Sequence, residues 1–304
     1  MRIIVNGQQA FGKAVLDALL ECGEDVVAVY CAPEKEGRRT DPLREAAEER
    51  GLPLFQPPSY QKPEVWEQLK ELKPDLGVMA FVTLFVVEEF LNTPTHGTIQ
   101  YHPSLLPLHR GPSSINWPII QGAKKTGLSI FWPDNGLDTG PILLQKEVEI
   151  TADDTLGTVY FEKLFQLGVD AMVESVDLVK AGKAPKIVQD ETNATYESWC
   201  TKENAEIDWS KPTLDVYNLI RGTNPAPGAW TTHAGKTLQI FDSARLDEAS
   251  GAPGEVLDVS ADGIAVAAAG GGILVKRVRA EGGQKVPAQE FTTEAGLAKG
   301  ERLG

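Results

Sequence analysis

The chain has 304 residues, 42% of them apolar, enough to bury one large core or two of ordinary size. Its 43 acidic against 29 basic side chains give a formal charge of −14, which opposes a polyanionic partner unless the cations gather on one face. There is no run of about 18 apolar residues and no leader pattern, and the three cysteines make neither a metal spacing nor an even disulfide set, so a soluble cytoplasmic protein with reduced thiols is expected.

Residues 2–6 (RIIVN) read as a buried strand, 7–12 as a turn, and 13–23 (KAVLDALLECG) as an amphipathic helix ended by Gly23. A second strand (DVVAVYC) follows. The doublet Arg38–Arg39 lies among acids in EKEGRRTDPLRE and reads as a solvated loop, and Lys124–Lys125 is the other small basic group. Asp41 with Pro42 opens a helix, LPLFQ is a strand, EVWEQLKELKP a helix, DLGVMAF an apolar strand and VVEEFLN a short helix. GTIQYHP is the next strand, then SSINWPIIQG a helix and TGLSIFW a strand. Strands alternating with helices predict a parallel sheet covered on both faces, with ligands at the strand ends.

From about Thr155 to Lys180 the pattern is one long helix, after which a polar stretch of little periodicity reads as a linker. LDVYNLIRG is helical. Short runs with turn signals from GAWTTHAG to ILVKRVRA predict a small β-barrel of OB-like type, with a hairpin turn near Gly270. The expected organisation is therefore an α/β Rossmann-like domain over 1–183, a linker over 184–205 and a β-barrel domain over 206–304.

The loop Gly7–Ala14 has phosphate-loop spacing, but Ala14 stands where a magnesium-binding hydroxyl is needed and no G-x-G-x-x-G occurs. A tight turn lining a cleft is the better reading. His102 sits at a strand end, and Asp138 lies in a glycine-flanked loop 36 positions later. An isolated histidine by an apolar strand is more often a satisfied core residue, and Asp138 alone reads equally as a turn aspartate, as does Asp134. Strand alternation, however, puts Gln100 and His102 on one face with Tyr101 on the other, and an amide beside an imidazole can donate to an oxyanion. Arg110 and Gly111 read as loop-shaping, and His96, His109 and His233 as exposed.

The string from Gln100 to Gly140 resembles the signature of enzymes that move or release the formyl group of 10-formyltetrahydrofolate. There a strand ending in His-x-Ser-Leu-Leu-Pro, here His102 to Pro107, is followed by Asp-x-Gly, here Asp138 to Gly140. IDWSKP, IRGTNPAPGAW and LVKRVRAEGGQKVPAQEF are similar to the C-terminal part of methionyl-tRNA formyltransferases. YHPSLLPLHRG, INWPIIQG, SIFWPDNGLDTG and LLQKE are closer to the hydrolase domain of 10-formyltetrahydrofolate dehydrogenases.

The resemblance implies His102, Asp138 and Gln100 as catalytic residues, Asp138 being the general base or orienting carboxylate. Formyl transferases usually carry Asn where this chain has Gln100, a departure shared with the dehydrogenase-type domains. The resemblance also implies a folate slot at Phe81, Leu84, Ser104, Leu105, Pro107, Asp134, Gly136 and Gly140. The implied formyl donor is 10-formyltetrahydrofolate, with no metal and no membrane partner. Water, an initiator methionyl-tRNA, or a small amine or amino sugar are the implied acceptors, and a folate-binding module without catalysis is the alternative of another class.

Overall fold

The computed structural model describes residues 1–34, 37 and 39–304, so Arg38 of the basic doublet lies outside the described residues. The chain forms two compact units, neither continuous in sequence. The first comprises residues 1–111, 127–148 and 163–196, and the second 112–126, 149–162 and 197–304.

The first unit is built on β1 (Arg2–Gly7), β2 (Asp25–Tyr30), β3 (Leu54–Phe55), β4 (Leu76–Ala80), β5 (Thr98–His102), β6 (Lys125–Phe131) and β7 (Ile142–Glu149). Its helices are α1 (Gln9–Glu21), α2 (Pro42–Glu49), α3 (Pro63–Glu71) and α4 (Glu88–Leu91). The sheet order is β3-β2-β1-β4-β5-β6-β7, so the chain winds outward in both directions from the β1/β4 boundary. Such a boundary leaves a crevice beyond the strand ends.

The β1–β2, β2–β3, β1–β4 and β4–β5 pairs are parallel, but β5 and β6 are antiparallel, with His102 opposite Ser129. The all-parallel expectation is corrected at that edge, where β7 also adds a strand that the sequence reading missed. Only one face of β7 is covered beyond its first two residues, and its burial alternates accordingly.

α1 begins at Gln9, four residues earlier than its periodicity suggests, because both Asp41 carboxylate oxygens accept the Gln9 N–H at 2.9 Å. Asp41 also caps its own helix at the Leu43 N–H, so one carboxylate serves two helix starts. Gly7 is required by close approach, since a Cβ there would meet the Ala80 carbonyl oxygen at 2.2 Å. Tyr30, Phe55, Tyr60 and Phe90 stack in the core beside β2, and Tyr60 donates to Asn6 Oδ1 at 2.9 Å.

The long helix expected from Thr155 is broken into a one-turn α6 (Leu156–Thr158), a π-helical turn (Val159–Leu164) and α7 (Phe165–Lys180). Thr155 and Thr158 form a capping box at its start. α7 packs on the first unit, where Gly168 lets Tyr101 and Phe11 approach its backbone. Residues 184–196, expected within the linker, are bonded to the same unit through bridges from Ile187 to Ile142 and from Tyr196 to Arg110.

The second unit holds α5 (Asn116–Ile120), α8 (Thr213–Gly222), α9 (Ala288–Ala295) and an antiparallel sheet. Its strands are β8 (Ala229–His233), β9 (Lys236–Leu246), β10 (Val256–Ser260), β11 (Gly263–Ala268), β12 (Gly271–Ala280) and β13 (Lys285–Pro287). They are ordered β10-β11-β12-β9-β8, with β13 added to β12. β8 and β9 are joined through Ala234 and Gly235, both at positive φ, as a tight two-residue hairpin needs. Gly270 turns β11 into β12 as expected. The core gathers Ile207, Trp209, Val216, Ile220, Ile240, Val266, Ile273 and Val278. No described helix is long and apolar enough to cross a membrane.

Candidate active site

β5 carries two of the candidate residues. Tyr101 turns inward and lies 4.3 Å from the Phe11 ring, which leaves Gln100 and His102 on the opposite face. His102 is buried, and its Nε2 is 2.9 Å from the His109 carbonyl oxygen. A carbonyl only accepts, so Nε2 carries the proton of that bond and Nδ1 is the ring nitrogen it leaves for other work. That Nδ1 faces Asp138, with Oδ2 at 3.6 Å. Asp138 is buried too, has a backbone φ of 56°, and accepts the Gly111 N–H on Oδ2 at 2.8 Å. The Gln100 amide is half-buried and makes no side-chain hydrogen bond among the described residues.

The turn after His102 is rigid for reasons visible in its bonds. Ser129 Oγ donates to the Ser104 carbonyl at 2.7 Å and accepts the Leu106 N–H at 3.0 Å, while Gln145 Nε2 donates to both Ser129 Oγ and the Leu106 carbonyl at 2.9 Å. Ser104 is fully buried and donates to the Leu108 carbonyl at 2.6 Å, so its hydroxyl shapes the turn and is not presented to the crevice. Leu105 packs toward Gly127, and Pro107 follows a cis peptide bond.

The Asp138 loop is equally tied. Asp134 Oδ1 accepts from the Gly136 N–H at 3.0 Å and from Thr139 Oγ1 at 2.5 Å, an Asx turn that spends one carboxylate oxygen on the loop itself. Gly140 has no room for a side chain, since a Cβ would lie 1.8 Å from the Trp132 carbonyl oxygen. Phe81, at the end of β4 with φ 64°, and Leu137, Phe85 and Leu108 are exposed apolar side chains on the loops that follow β4, β5 and β6. Leu84 is half-buried beside them in sequence.

Two groups that brace the candidate residues escape the sequence reading, the His109 carbonyl and Gln189, and Arg110, read as loop-shaping, braces the loop through partners the sequence does not show. The His109 carbonyl acts through the backbone, and no side-chain signal marks it. Arg110 is fully buried, with Nη1 and Nη2 on Glu191 at 2.9 and 2.6 Å and Nη1 on Tyr196 Oη at 2.5 Å. The hydrogen bond from Arg110 holds the Glu191 carboxyl below its usual range, and Glu191 in turn raises the guanidinium. Gln189 joins Arg110 to the Asp138 loop from a stretch that shows no periodicity. Among the described residues no group of three or more His, Cys, Asp or Glu side chains is placed to hold a metal ion.

Residues 1–176 match the formyl transferase family model, and residues 200–296 match that of the formyl transferase C-terminal domain. The cytosolic 10-formyltetrahydrofolate dehydrogenase of Xenopus tropicalis is 41% identical over 98% of this chain and 35% of that protein. The chain thus spans about a third of the length of the dehydrogenase relatives it matches. The methionyl-tRNA formyltransferase of Geotalea daltonii is 37% identical over 100% of this chain and 98% of that protein. Among solved structures, HypX from Aquifex aeolicus in complex with tetrahydrofolic acid shares the fold, with a TM-score of 0.70 at 19% identity over 97% of this chain and 47% of that one.

Proposed function

The chain belongs to the formyl transferase family, and from that premise we propose that it takes the formyl group from 10-formyltetrahydrofolate and passes it to water, releasing formate and tetrahydrofolate. The observation that carries this reading is the approach of His102 Nδ1 to Asp138 Oδ2 at 3.6 Å beside the uncommitted Gln100 amide. The exposed rings and chains of Phe81, Phe85, Leu108 and Leu137 suit the flat pterin, and the turn at Asp134 and Gly136 would offer backbone groups to its edge.

In this mechanism water adds to the formyl carbon while Asp138 takes its proton. The Gln100 amide and, where it carries a proton, His102 Nδ1 donate to the tetrahedral oxyanion, each such donor being worth ~3 kcal/mol. The C–N10 bond then breaks as N10 receives the proton held by Asp138, so the proton taken from water ends on the leaving amine. A ring that already spends Nε2 on His109 has one nitrogen left for this work. That makes the ionic partner at Nδ1 the decisive group.

A second reading, formyl transfer to an initiator methionyl-tRNA, is favoured by one observation. The match to methionyl-tRNA formyltransferase runs along nearly all of both chains. The test is release of tetrahydrofolate from 10-formyltetrahydrofolate with no acceptor, then with charged initiator tRNA, then with amines and amino sugars. Formate release without acceptor is the expected result. Turnover only with tRNA or only with an amine would replace water as the acceptor, and pterin binding with no turnover under any condition would sink the enzyme reading.

A further inference from the structure

The segment from Gln189 to Tyr196 bonds to the backbone of Asp138 and to that of His109, the residue whose carbonyl meets His102. Gln189 is buried, and its Oε1 accepts from Arg110 Nε at 3.1 Å and Nη2 at 2.8 Å. A guanidinium only donates, so this pairing fixes which end of the amide faces Arg110 and turns the amide nitrogen the other way. That nitrogen donates to the Asp138 carbonyl at 2.9 Å and to the Gly140 carbonyl at 2.7 Å.

Six residues on, Thr195 Oγ1 accepts the His109 N–H at 2.7 Å, and the Thr195 carbonyl accepts the Arg110 N–H at 3.0 Å. His109 is the residue whose carbonyl holds His102. The intervening chain is stiffened locally by Asp190, which accepts from the Thr192 N–H, Thr192 Oγ1 and Asn193 Nδ2 at 3.0, 2.7 and 2.8 Å.

We propose that Gln189 is a positioning residue for formyl transfer: gripped by the buried Arg110, it holds the Asp138 backbone in its left-handed conformation and so sets the carboxylate against His102. A left-handed backbone at φ 56° is uncommon for any non-glycine residue, aspartate included, and bonds from its surroundings favour it. Gln189 supplies such bonds on the loop carbonyls, and Gly111 supplies one on the side chain. Thr195 performs the matching task for His109, so one short strap keeps both partners in register. The inference rests on the formyl-transfer reading of the pair.

Gln189→Glu is the test, because glutamate keeps an acceptor for Arg110 but loses both donors to the loop. The expected result is a kcat about tenfold lower with KM for 10-formyltetrahydrofolate within twofold, alongside a lowered Tm from the carboxylate that now faces two carbonyls. In an Asp138→Asn background the same substitution should cost nothing further, since it acts through Asp138. Wild-type kcat in a folded Gln189→Glu protein, or full additivity with Asp138→Asn, overturns the proposal. Amide exchange at Gly111, whose N–H rests on Asp138, reads the loop without any turnover. Faster exchange there in Gln189→Glu supports the strap even if the assay is silent, a pattern that would count against the functional reading alone. Unchanged Gly111 exchange overturns the strap. Thr195→Val, which removes the acceptor for His109, should give the same kcat-selective loss from the other side.

Discussion

Asp138 Oδ2 is shared between the Gly111 N–H at 2.8 Å and the His102 ring at 3.6 Å from Nδ1. The backbone bond stops the carboxylate from swinging, so the imidazole meets it at one defined oxygen. Asp138→Asn preserves the size and an acceptor for Gly111 but removes the charge. It is expected to lower kcat about 10²- to 10⁴-fold with little change in Tm, and His102→Asn should do the same. Steady-state kinetics beside a thermal melt decides this. Near-wild-type turnover in either variant would remove the pair from the mechanism.

Gln100 stands on the same strand face as His102 and spends its amide on no neighbour among the described residues. Gln100→Leu should leave folate affinity within a few-fold and reduce kcat about 100-fold, the usual cost of one oxyanion donor. A rise in KM with kcat intact would instead make Gln100 a ground-state binding group.

Glu24 tests the electrostatics of the first unit. Its carboxylate is almost wholly enclosed and meets the Met1 ammonium at 2.8 Å and the Lys180 ammonium. Burial by itself raises its pKa, but the bonds to Lys180 and to the terminal ammonium outweigh that and hold it below the ordinary 4.5. A lowered folded pKa means stability that is present above the unfolded value and is lost as pH falls through the folded one. Glu24→Gln should therefore destabilise the protein by about 2 kcal/mol at neutral pH, in the range for hydrogen bonds to charged groups. The gap to wild type should close as the pH falls below that ordinary carboxylate value. Urea melts at several pH values measure it, and a gap that persists undiminished in acid would show that the loss is one of packing.

The three thiols should separate by reactivity. Cys22 is exposed, whereas burial pushes the Cys31 and Cys200 thiols up to about 11, with Asp41 adding to the effect at Cys31. At mildly alkaline pH an alkylating reagent should label Cys22 well before the other two, because the thiolate is the reactive form. Peptide mass spectrometry over a time course gives the order, and equal labelling of Cys200 would mean that its enclosure opens readily.

Much of the first unit was legible because its signals are local. Short, mostly apolar runs gave β1, β2, β4 and β5, Asp41 with Pro42 marked the start of α2, and the strand period alone put Gln100 and His102 on one face. The edge strand β7 was not found, because a strand covered on one face shows only a short alternation, and the direction of β6 is a matter of pairing and not of composition. The break of the long helix at the π-helical turn was hidden for a similar reason, since helical periodicity runs on through it.

The sequence by itself determined the chemistry available: one imidazole, one carboxylate and one amide, carried in a string whose local pattern ends a strand and opens two turns. Tertiary structure alone decided which nitrogen the imidazole can spare, because that depends on the His109 carbonyl, and how the carboxylate is aimed, because that depends on Gln189 and Arg110 some 50 to 80 positions away from the groups they hold. Side-chain identity is local information. Hydrogen-bond partnership between distant segments is a property of the folded chain.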